Sequence, residues 1–209
     1  MLLEFEKTQD LLKRYNIFFA QSELVKNKSE ALLAAQKIGY PLVLKIFSEQ
    51  ILHKTDVGGV FINIKNQQVF EKMFDNLYQK FGQNKDIKFL VQKFIPGIYI
   101  MLGAKIDPTF GPVVLFGLGG IFVEVLKDVS FRLAPISLKD AKEMIKEIKS
   151  YQILQGARGQ KPINFQSLEN ALVNLSNLIA KENNIKEIDL NPIACNEKGA
   201  IVVDAKIII

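Results

Sequence analysis

Apolar residues in this chain of 209 residues come in short runs of strand length, bounded by glycine, proline or charged residues. Examples are "PLVLKIF" (41–47), "IYIMLGAKI" (98–106) and "PVVLFG" (112–117), which are rich in β-branched or aromatic residues. No run approaches the ~18 apolar residues that a membrane-spanning helix requires. We therefore expect buried strands and no membrane partner.

Amphipathic segments separate the strands in the first half of the chain, where apolar residues recur every three or four positions. The predicted helices cover Glu6–Tyr15, Ser29–Ile38 with Ser29 as its cap, Val69–Phe81, Ser137–Lys149 with a capping box, and Ser167–Lys181. Further strands are predicted at 60–66, 87–94, 120–128 and 130–135. The end of the chain reads as a hairpin of 185–193 against 199–207, turned at 196–199.

This order of elements predicts an α/β fold with two lobes. A small lobe of about 20–91 is inserted into a large lobe made from 1–19 and 92–209. Pro96-Gly97 provides a turn or hinge at the second crossing. Small-molecule sites are frequent in clefts between lobes, so we expect the functional site there.

Composition excludes several classes of protein. The chain has one histidine and one cysteine, which excludes a structural zinc site with four such ligands and any internal disulfide. The start of the chain mixes charges into its apolar residues, unlike a signal peptide, and we expect a cytoplasmic protein. The net charge of +5 is mild, without a basic block interleaved with aromatics, so nucleic acid is not an expected partner.

Three oxygen-bearing residues lie in the predicted C-terminal hairpin. Asp189 and Asn191 are two apart on one strand, which points both side chains to the same side, and Asp204 lies on the partner strand. Together they can converge on a hard ion such as Mg²⁺ bound to phosphate. The alternative is that Asp189-x-Asn191-Pro192 is only a turn, which these residue types also favour.

Several residues could meet an anion. Lys45 lies inside an apolar strand, so its ammonium either reaches the surface or meets an anion. Gly58-Gly59, next to Lys54, can bring backbone N–H groups close to phosphate oxygens. Gly117, Gly119 and Gly120 form a second glycine-rich turn that also suits tight strand connections. Glu124 and Arg132 either belong to a site or point outward on alternating strands.

His53, in "ILHKTDVGG" (51–59), and Cys195 are the two candidate nucleophiles. Cys195 reads as a small core residue, since no second histidine exists to activate it. On its own, a loop histidine beside two glycines is either a chemical group or incidental. Neutral imidazole is a good nucleophile near neutral pH, because its pKa is about 6.5.

Three long motifs in order resemble the ATP-grasp (beta) subunit of ADP-forming acetate–CoA ligases and related acyl-CoA synthetases. They are "YPLVLKIFSEQILHKTDVGGV" (40–60), "FGPVVLFGLGGIFVEVLKDVSFRLAPIS" (110–137) and "EIDLNPI" (187–193) with "GAIVVDAK" (199–206). The resemblance extends over essentially the whole chain. It implies an ATP-grasp fold that holds ADP or ATP with Mg²⁺ between two lobes, and a CoA-binding alpha subunit as partner.

The resemblance also implies roles for individual residues. Phosphate would pass from a histidine on the alpha subunit to His53, and from His53 to ADP. Asp189, Asn191 and Asp204 would hold Mg²⁺, with Asp189 at the reaction centre. The nucleotide would be bound by Lys45, Lys54, Gly58, Gly59, Gln92, Lys93, Phe94, Tyr99, Glu124 and Arg132.

Two positions depart from the family pattern. Tyr99 stands where a carboxylate usually accepts hydrogen bonds from the ribose, and Lys93 replaces a frequent acidic hinge residue. Nucleotide preference and affinity are therefore open. The alternatives to a catalytic subunit are a nucleotide-binding regulatory module and an assembly partner that has lost catalysis.

Overall fold

The computed structural model describes residues 1–48, 57–84, 86–119, 128–156 and 161–209. In chain order its elements are α1 (Phe5–Arg14), β1 (Ser22–Val25), α2 (Lys28–Ile38), β2 (Leu42–Phe47), β3 (Val60–Ile64), α3 (Gln67–Phe81), β4 (Lys88–Lys93), β5 (Ile98–Asp107), β6 (Gly111–Leu118), β7 (Val129–Leu133), α4 (Leu138–Glu147), α5 (Tyr151–Leu154), α6 (Phe165–Lys181), β8 (Glu187–Asn196), β9 (Gly199–Val202) and β10 (Lys206–Ile208).

The chain divides into two compact units. The small unit is Ala20–Phe94, and the large unit is Met1–Phe19 with Ile95–Ile209. The mixture of helices and antiparallel sheets agrees with the predicted α/β class. Within the described residues no helix is long and apolar enough to cross a membrane.

The small unit is a sheet in the order β1-β4-β2-β3, antiparallel throughout. Alternate residues of β2, Leu42, Leu44 and Ile46, are buried in one cluster with apolar residues of α2 and α3. Lys45 therefore lies on the other face of β2. The cap of α2 differs from the prediction: the side chain of Asn27, rather than that of Ser29, accepts from the N–H of Glu30.

The large unit contains a sheet in the order β10-β8-β5-β6-β7, with β9 also paired to β8. Its core cluster joins alternate residues of the central strands to apolar residues of α1, α4 and α6. The predicted capping box of α4 is confirmed by reciprocal hydrogen bonds between Ser137 and Asp140. The face of the sheet that carries Ile100 and Leu102 is thus covered by helices, and we call the other side its open face.

The C-terminal hairpin is more divided than predicted. β9 pairs with the second half of β8, as Ile193 lies opposite Val202, whereas β10 pairs with the first half, as Lys206 lies opposite Asp189. The return strand is interrupted at 203–205. That interruption faces an irregularity in β8, which is where the predicted magnesium ligands lie.

Candidate functional site

A bulge in β8 sets the position of Asp189 and Asn191. Leu190 lies opposite Leu102 and Ile193 opposite Ile100, so β8 has one more residue than β5 between these pairs. Leu190 and Ile193 are both buried in the core, and the extra residue at Asn191-Pro192 turns towards the other side. Bulges re-aim side chains in this way and are frequent next to functional sites.

Asp204 lies beside this bulge because the interrupted return strand bonds to it. The N–H of Asn191 donates to the backbone oxygen of Asp204 at 3.1 Å, and the N–H of Asp204 donates to the oxygen of Pro192 at 3.3 Å. Asp189, Asn191 and Asp204, which we call the oxygen cluster, are all half-buried. The structure therefore brings together the three residues that the hairpin pattern singled out.

The electrostatics of the oxygen cluster favour a cation. Burial raises the pKa of Asp189, and the nearby carboxylates of Asp204 and Glu187 raise it further, while Lys206 acts in the opposite direction. A cation bound between the carboxylates would offset this cost. Among the residues that the structure describes, no set of three or more His, Cys, Asp or Glu could hold a metal ion. Two carboxylates and one amide fit Mg²⁺, which takes its remaining ligands from phosphate and water.

Among the described residues of the small unit, Lys45 is a buried cation. It is 5% exposed in the middle of β2, between Val60 of β3 and Leu90 of β4. Val43, Leu90 and Gln92 share its face by register and are also buried. An ammonium at such a position needs polar or anionic partners.

The exit of the glycine-bearing loop is held at two points. The Nζ of Lys80 donates to the backbone oxygen of Val57 at 2.6 Å, and the N–H of Ile46 donates to the oxygen of Gly59 at 2.9 Å. Gly58 has φ +67°, a conformation that favours glycine. His53, Lys54 and Glu124 lie outside the described residues.

The resemblance assigns Gln92, Lys93 and Phe94 to a hinge on the adenine side of the nucleotide, and the small unit itself uses all three. Gln92 is fully buried, and the N–H of Phe94 donates to the oxygen of Pro41 at 3.1 Å. The ammonium of Lys93 donates to the backbone oxygens of Gly39 at 2.8 Å and Tyr40 at 2.9 Å. Lys93 therefore closes the turn between α2 and β2, and its predicted contact with a nucleotide stays a prediction.

Tyr99 lies at the start of β5, opposite Ala194, and is 38% exposed. It alternates with the buried residues Ile100 and Leu102, which places it on the open face. Burial raises the pKa of its phenol above the ordinary 10.0, so the hydroxyl is protonated at neutral pH. It offers one donor and an acceptor where a carboxylate would offer acceptors alone.

Arg132 lies on the opposite face of the sheet from Asp189. It pairs with Val114, whose side chain is buried under the helices, while Asp189, Gly103, Leu115 and Phe131 form one row across the open face. Both Nη atoms of Arg132 donate to the carboxylate of Glu147 in α4. The structure thus does not bring Arg132 together with the oxygen cluster.

Three residues from the candidate motifs serve packing. A Cβ on Gly117 would lie 2.8 Å from Val129 Cγ1, and a Cβ on Gly119 would lie 2.7 Å from the oxygen of Ile100, so both glycines permit close strand contacts. Cys195 is buried in the core, and burial raises the pKa of its thiol to about 12. The interpretation of Cys195 as a core residue is confirmed.

Sequence reasoning missed two lysines beside the candidate groups. Lys206 lies opposite Asp189 and partly offsets the rise of its pKa, and the register of the predicted hairpin would have revealed this pair. Lys80 contacts Val57 from the end of α3, 23 positions away. No local pattern marks Lys80, since the contact depends on the tertiary position of the helix.

Comparison with known proteins gives matches over the whole chain. The family model of the ATP-grasp domain matches residues 1–209. The beta subunit of acetate–CoA ligase (ADP-forming) I from Pyrococcus furiosus is 46% identical, covering 97% of this chain and 90% of that one. The 4-hydroxybutyrate–CoA ligase (ADP-forming) of Nitrosopumilus maritimus is 44% identical over 95% of this chain, which spans only 29% of that longer protein.

Solved structures also resemble the chain in full. Acetyl-coenzyme A synthetase 1 of Ca. Korarchaeum cryptofilum, in complex with coenzyme A and Ca-AMPCP, superposes with a TM-score of 0.91 and 39% identity, covering 100% of this chain and 93% of that one. A second structure of that protein holds Mg-AMPPCP and has its phosphohistidine segment pointing towards the nucleotide site. Its TM-score is 0.85 at 40% identity, with 100% and 92% of the two chains covered.

Proposed function

The chain belongs to the ATP-grasp domain family, and we propose that it is the nucleotide-binding subunit of an ADP-forming acyl-CoA synthetase. The overall reaction is acyl-CoA + ADP + phosphate ⇌ acid + ATP + CoA. The observation that carries the proposal is the convergence of Asp189, Asn191 and Asp204 at the β8 bulge, in a chain that matches beta subunits over nearly its whole length.

The oxygen cluster would hold Mg²⁺ through Asp189, Asn191 and Asp204. The ion would neutralise charge on the phosphoryl oxygens as the phosphate transfers. The raised pKa of Asp189, caused first by burial and then by the carboxylates of Asp204 and Glu187, supports this assignment, because a bound cation would offset the cost of its charge. A related protein was solved with Mg-AMPPCP, which supports the choice of ion.

Lys45 and the glycine pair would face the nucleotide phosphates. Lys45 is a cation held in the central, buried strand β2, from which it would offset phosphate charge. Gly58 lacks a side chain and has a left-handed backbone, which allows the main chain to approach a ligand closely. Gln92, Phe94 and Tyr99 would line the base and ribose, while Lys54, Lys93, Glu124 and Arg132 stay sequence predictions.

His53 would carry the phosphoryl group. In the transfer step the N–P bond of phosphorylated His53 breaks while an oxygen of the ADP β-phosphate forms the new P–O bond, and His53 returns as neutral imidazole. The covalent intermediate divides one long transfer into two shorter ones. One structure of the Ca. Korarchaeum cryptofilum synthetase has a phosphohistidine segment that points towards the nucleotide-binding site, which supports phosphoryl transfer through a histidine in this family.

The proposed partner is a CoA-binding alpha subunit, and the proposed location is the cytoplasm. The beta-subunit relatives have nearly the same length as this chain, which covers 90% and 91% of two of them. In longer related ligases the matching part is only 29% or 30% of the protein. The remainder of those proteins leaves room for the functions that a separate subunit would supply here.

The test is phosphoryl transfer in the reconstituted complex. The chain is mixed with a cognate alpha subunit, acyl-CoA, Mg·ADP and labelled phosphate, and ATP formation and label on His53 are measured. We expect the wild type to form ATP and His53→Ala to form none. Lys7→Ala is the control, because Lys7 is an exposed residue of α1, and it should form ATP as the wild type does. Normal ATP synthesis by His53→Ala would overturn the role of His53.

The phenol of Tyr99 favours one second candidate, a nucleotide-binding module without catalysis. A phenol holds a ribose less firmly than a carboxylate does, because it accepts fewer hydrogen bonds. Under this alternative the chain binds ADP and assembles with its partner, but label never reaches His53. The same assay therefore separates the two functions.

A further inference from the structure

Gly103 lies in the interior of β5, between Leu115 of β6 and Asp189 of β8. A glycine inside a strand weakens it, because the unfolded chain gains freedom and the strand has no side chain to pack. Such a glycine commonly marks a place where the backbone or a ligand approaches closely. For Gly103 the structure distinguishes between these two reasons.

Other glycines of the large unit are required by the backbone around them. A Cβ on Gly97 would lie 2.3 Å from the oxygen of Cys195, one on Gly119 2.7 Å from the oxygen of Ile100, and one on Gly117 2.9 Å from the oxygen of Asp128. Real Cβ atoms essentially never come this close to backbone. Each of these glycines is explained by packing.

Gly103 has no such explanation within the described part of the chain. Its Cβ would meet Leu115 at 3.7 Å and the oxygen of Ile188 at 3.8 Å, which is ordinary van der Waals contact. Its φ is outside the left-handed region, so the backbone does not demand glycine either. Alanine would fit and would favour the folded chain.

The space beside Gly103 lies next to the oxygen cluster. Residues directly opposite in an antiparallel pair have their Cβ atoms on the same face, about 4.5–5.5 Å apart. Gly103 is directly opposite Asp189, so a side chain here would stand beside the carboxylate on the open face. The missing side chain keeps that part of the sheet surface bare.

We infer that Gly103 is a positioning residue that keeps the approach to Asp189 open for a metal-bound phosphate group. The inference rests on the proposed function, because it takes Mg²⁺ with a nucleoside diphosphate as the ligand of the oxygen cluster. A methyl group at Gly103 would occupy space that the phosphate or water ligands of the ion need. Ion and phosphate would then bind together less well, although neither Asp189 nor the fold had changed.

The experiment compares the intact chain with Gly103→Ala and Gly103→Val. Thermal unfolding of the ligand-free protein and calorimetric titration with ADP, with and without Mg²⁺, are measured for each. Lys105→Ala is the matched control, since Lys105 lies two positions along the same face of β5. Gly97→Ala is the comparison for a glycine that the fold requires.

We expect Gly103→Ala to unfold at the wild-type temperature or above it, and to bind Mg·ADP about tenfold more weakly. Valine should weaken Mg·ADP binding further, because it is larger, and both variants should bind ADP without Mg²⁺ nearly as the wild type does. Lys105→Ala should keep wild-type affinity, and Gly97→Ala should unfold at a lower temperature.

Two results overturn the inference. If Gly103→Ala binds Mg·ADP as tightly as the wild type, the bare surface has no role in binding. If Gly103→Ala is unfolded or clearly destabilised, the fold explains the glycine. Failure of the wild type itself to bind Mg·ADP would instead count against the proposed function, so the two failures are distinguishable.

Discussion

The β8 bulge and the predicted hinge at the end of β4 both carry polar side chains, but these serve different purposes. At the bulge, burial and then the nearby carboxylate of Asp204 raise the pKa of Asp189, so its charged form costs the folded chain free energy. At the hinge, the ammonium of Lys93 bonds two backbone oxygens of the α2–β2 turn, which stabilises the fold. The charged groups at the bulge therefore lower the stability of the folded chain, whereas the charged group at the hinge raises it.

The difference teaches which polar residues to assign to a ligand. A group whose environment disfavours its own charge is a stronger candidate than one whose hydrogen bonds are made within the protein. Arg132 and Asp128 resemble Lys93, because their charged groups make hydrogen bonds within the protein. Arg132 pairs with Glu147, and Asp128 accepts from the N–H groups of Lys149 and Ser150.

The largest expected effect is on binding at the bulge. Asp189→Asn removes a charge that would contact Mg²⁺, so Mg·ADP affinity should fall by about 100-fold or more. The variant should be at least as stable as the wild type at pH 7, because the raised pKa of Asp189 means that its charged form is disfavoured in the folded state. Calorimetry and thermal unfolding check the two parts.

Glu187→Gln is the control for Asp189→Asn, since Glu187 is an exposed carboxylate two positions away on β8. It should keep most of the affinity. If Asp189→Asn loses stability and keeps its affinity for Mg·ADP, the carboxylate at the bulge stabilises the fold, as Lys93 does at the hinge. The proposed difference between the two regions would then be wrong.

At the hinge we expect a substitution to lower stability more than ligand affinity. Lys93→Met removes both hydrogen bonds to Gly39 and Tyr40, so the free energy of unfolding should fall by about 2 kcal/mol. ADP affinity should change less than the stability does. Urea denaturation and calorimetry measure both, with the exposed Lys88 at the other end of β4 changed to Met as control. If Lys93→Met binds ADP more weakly but keeps wild-type stability, Lys93 contacts the nucleotide and does not stabilise the fold.

Substitution of Asp128 should have a smaller effect on stability, and that effect should depend on pH. Although partial burial acts against it, hydrogen bonds from the Ser150 hydroxyl and the N–H groups of Lys149 and Ser150 lower the pKa of Asp128 below 3.8. Its stabilisation is therefore complete above pH 3.8 and is lost as pH falls through the lowered pKa. Asp128→Asn should cost about 1 kcal/mol at pH 7.

The pH series compares Asp128→Asn with the wild type and with Asp86→Asn, at an exposed site. The gap between Asp128→Asn and the wild type should narrow under acid conditions, while Asp86→Asn should match the wild type throughout. A constant gap at all pH values would show that packing, and not the charge, is responsible.

Glu147→Gln should have the smallest effect. The pair with Arg132 is bidentate but partly exposed, and exposed pairs contribute roughly 0.5 kcal/mol. The variant should lose about that much stability and show no change in ADP affinity, with Glu143→Gln as the control on the same helix. Reduced ADP affinity would indicate that Arg132 leaves Glu147 to contact the nucleotide.

Local geometry explains why much of the fold was predictable. The helices and described strands follow apolar periodicity, and the oxygen cluster follows from two residues spaced by two on a strand with a nearby return. The class and the family are confirmed by the match over residues 1–209. The predicted cap of α2, Ser29, was two positions away from the observed cap, Asn27, because both residue types suit this role and both occur there.

Contacts of long side chains were not predictable. Lys93 meets residues 53 and 54 positions away, and Arg132 meets Glu147 on a helix that follows its strand. Such contacts depend on how helices settle on a sheet, which no spacing along the chain encodes. The bulge in β8 was also missed, since Asn191-Pro192 reads equally as a turn.

The division of the chain into units also bears on the order of its synthesis and folding. Ala20–Phe94 is continuous and has its own core, so it can fold as soon as it has left the ribosome. The large unit cannot, because residues on either side of α1 bond to the end of the chain. The hydroxyl of Tyr15 donates to Glu182 at the end of α6, 167 positions later, the N–H of Leu3 donates to the oxygen of Ile207 in β10, and Phe19 pairs with Val202 of β9. Closing so long a loop is slow. Although α1 precedes the small unit in the sequence, it is therefore among the last elements of these two units to pack, and its apolar residues Leu11 and Leu12 stay exposed to other chains until β8 to β10 have been made.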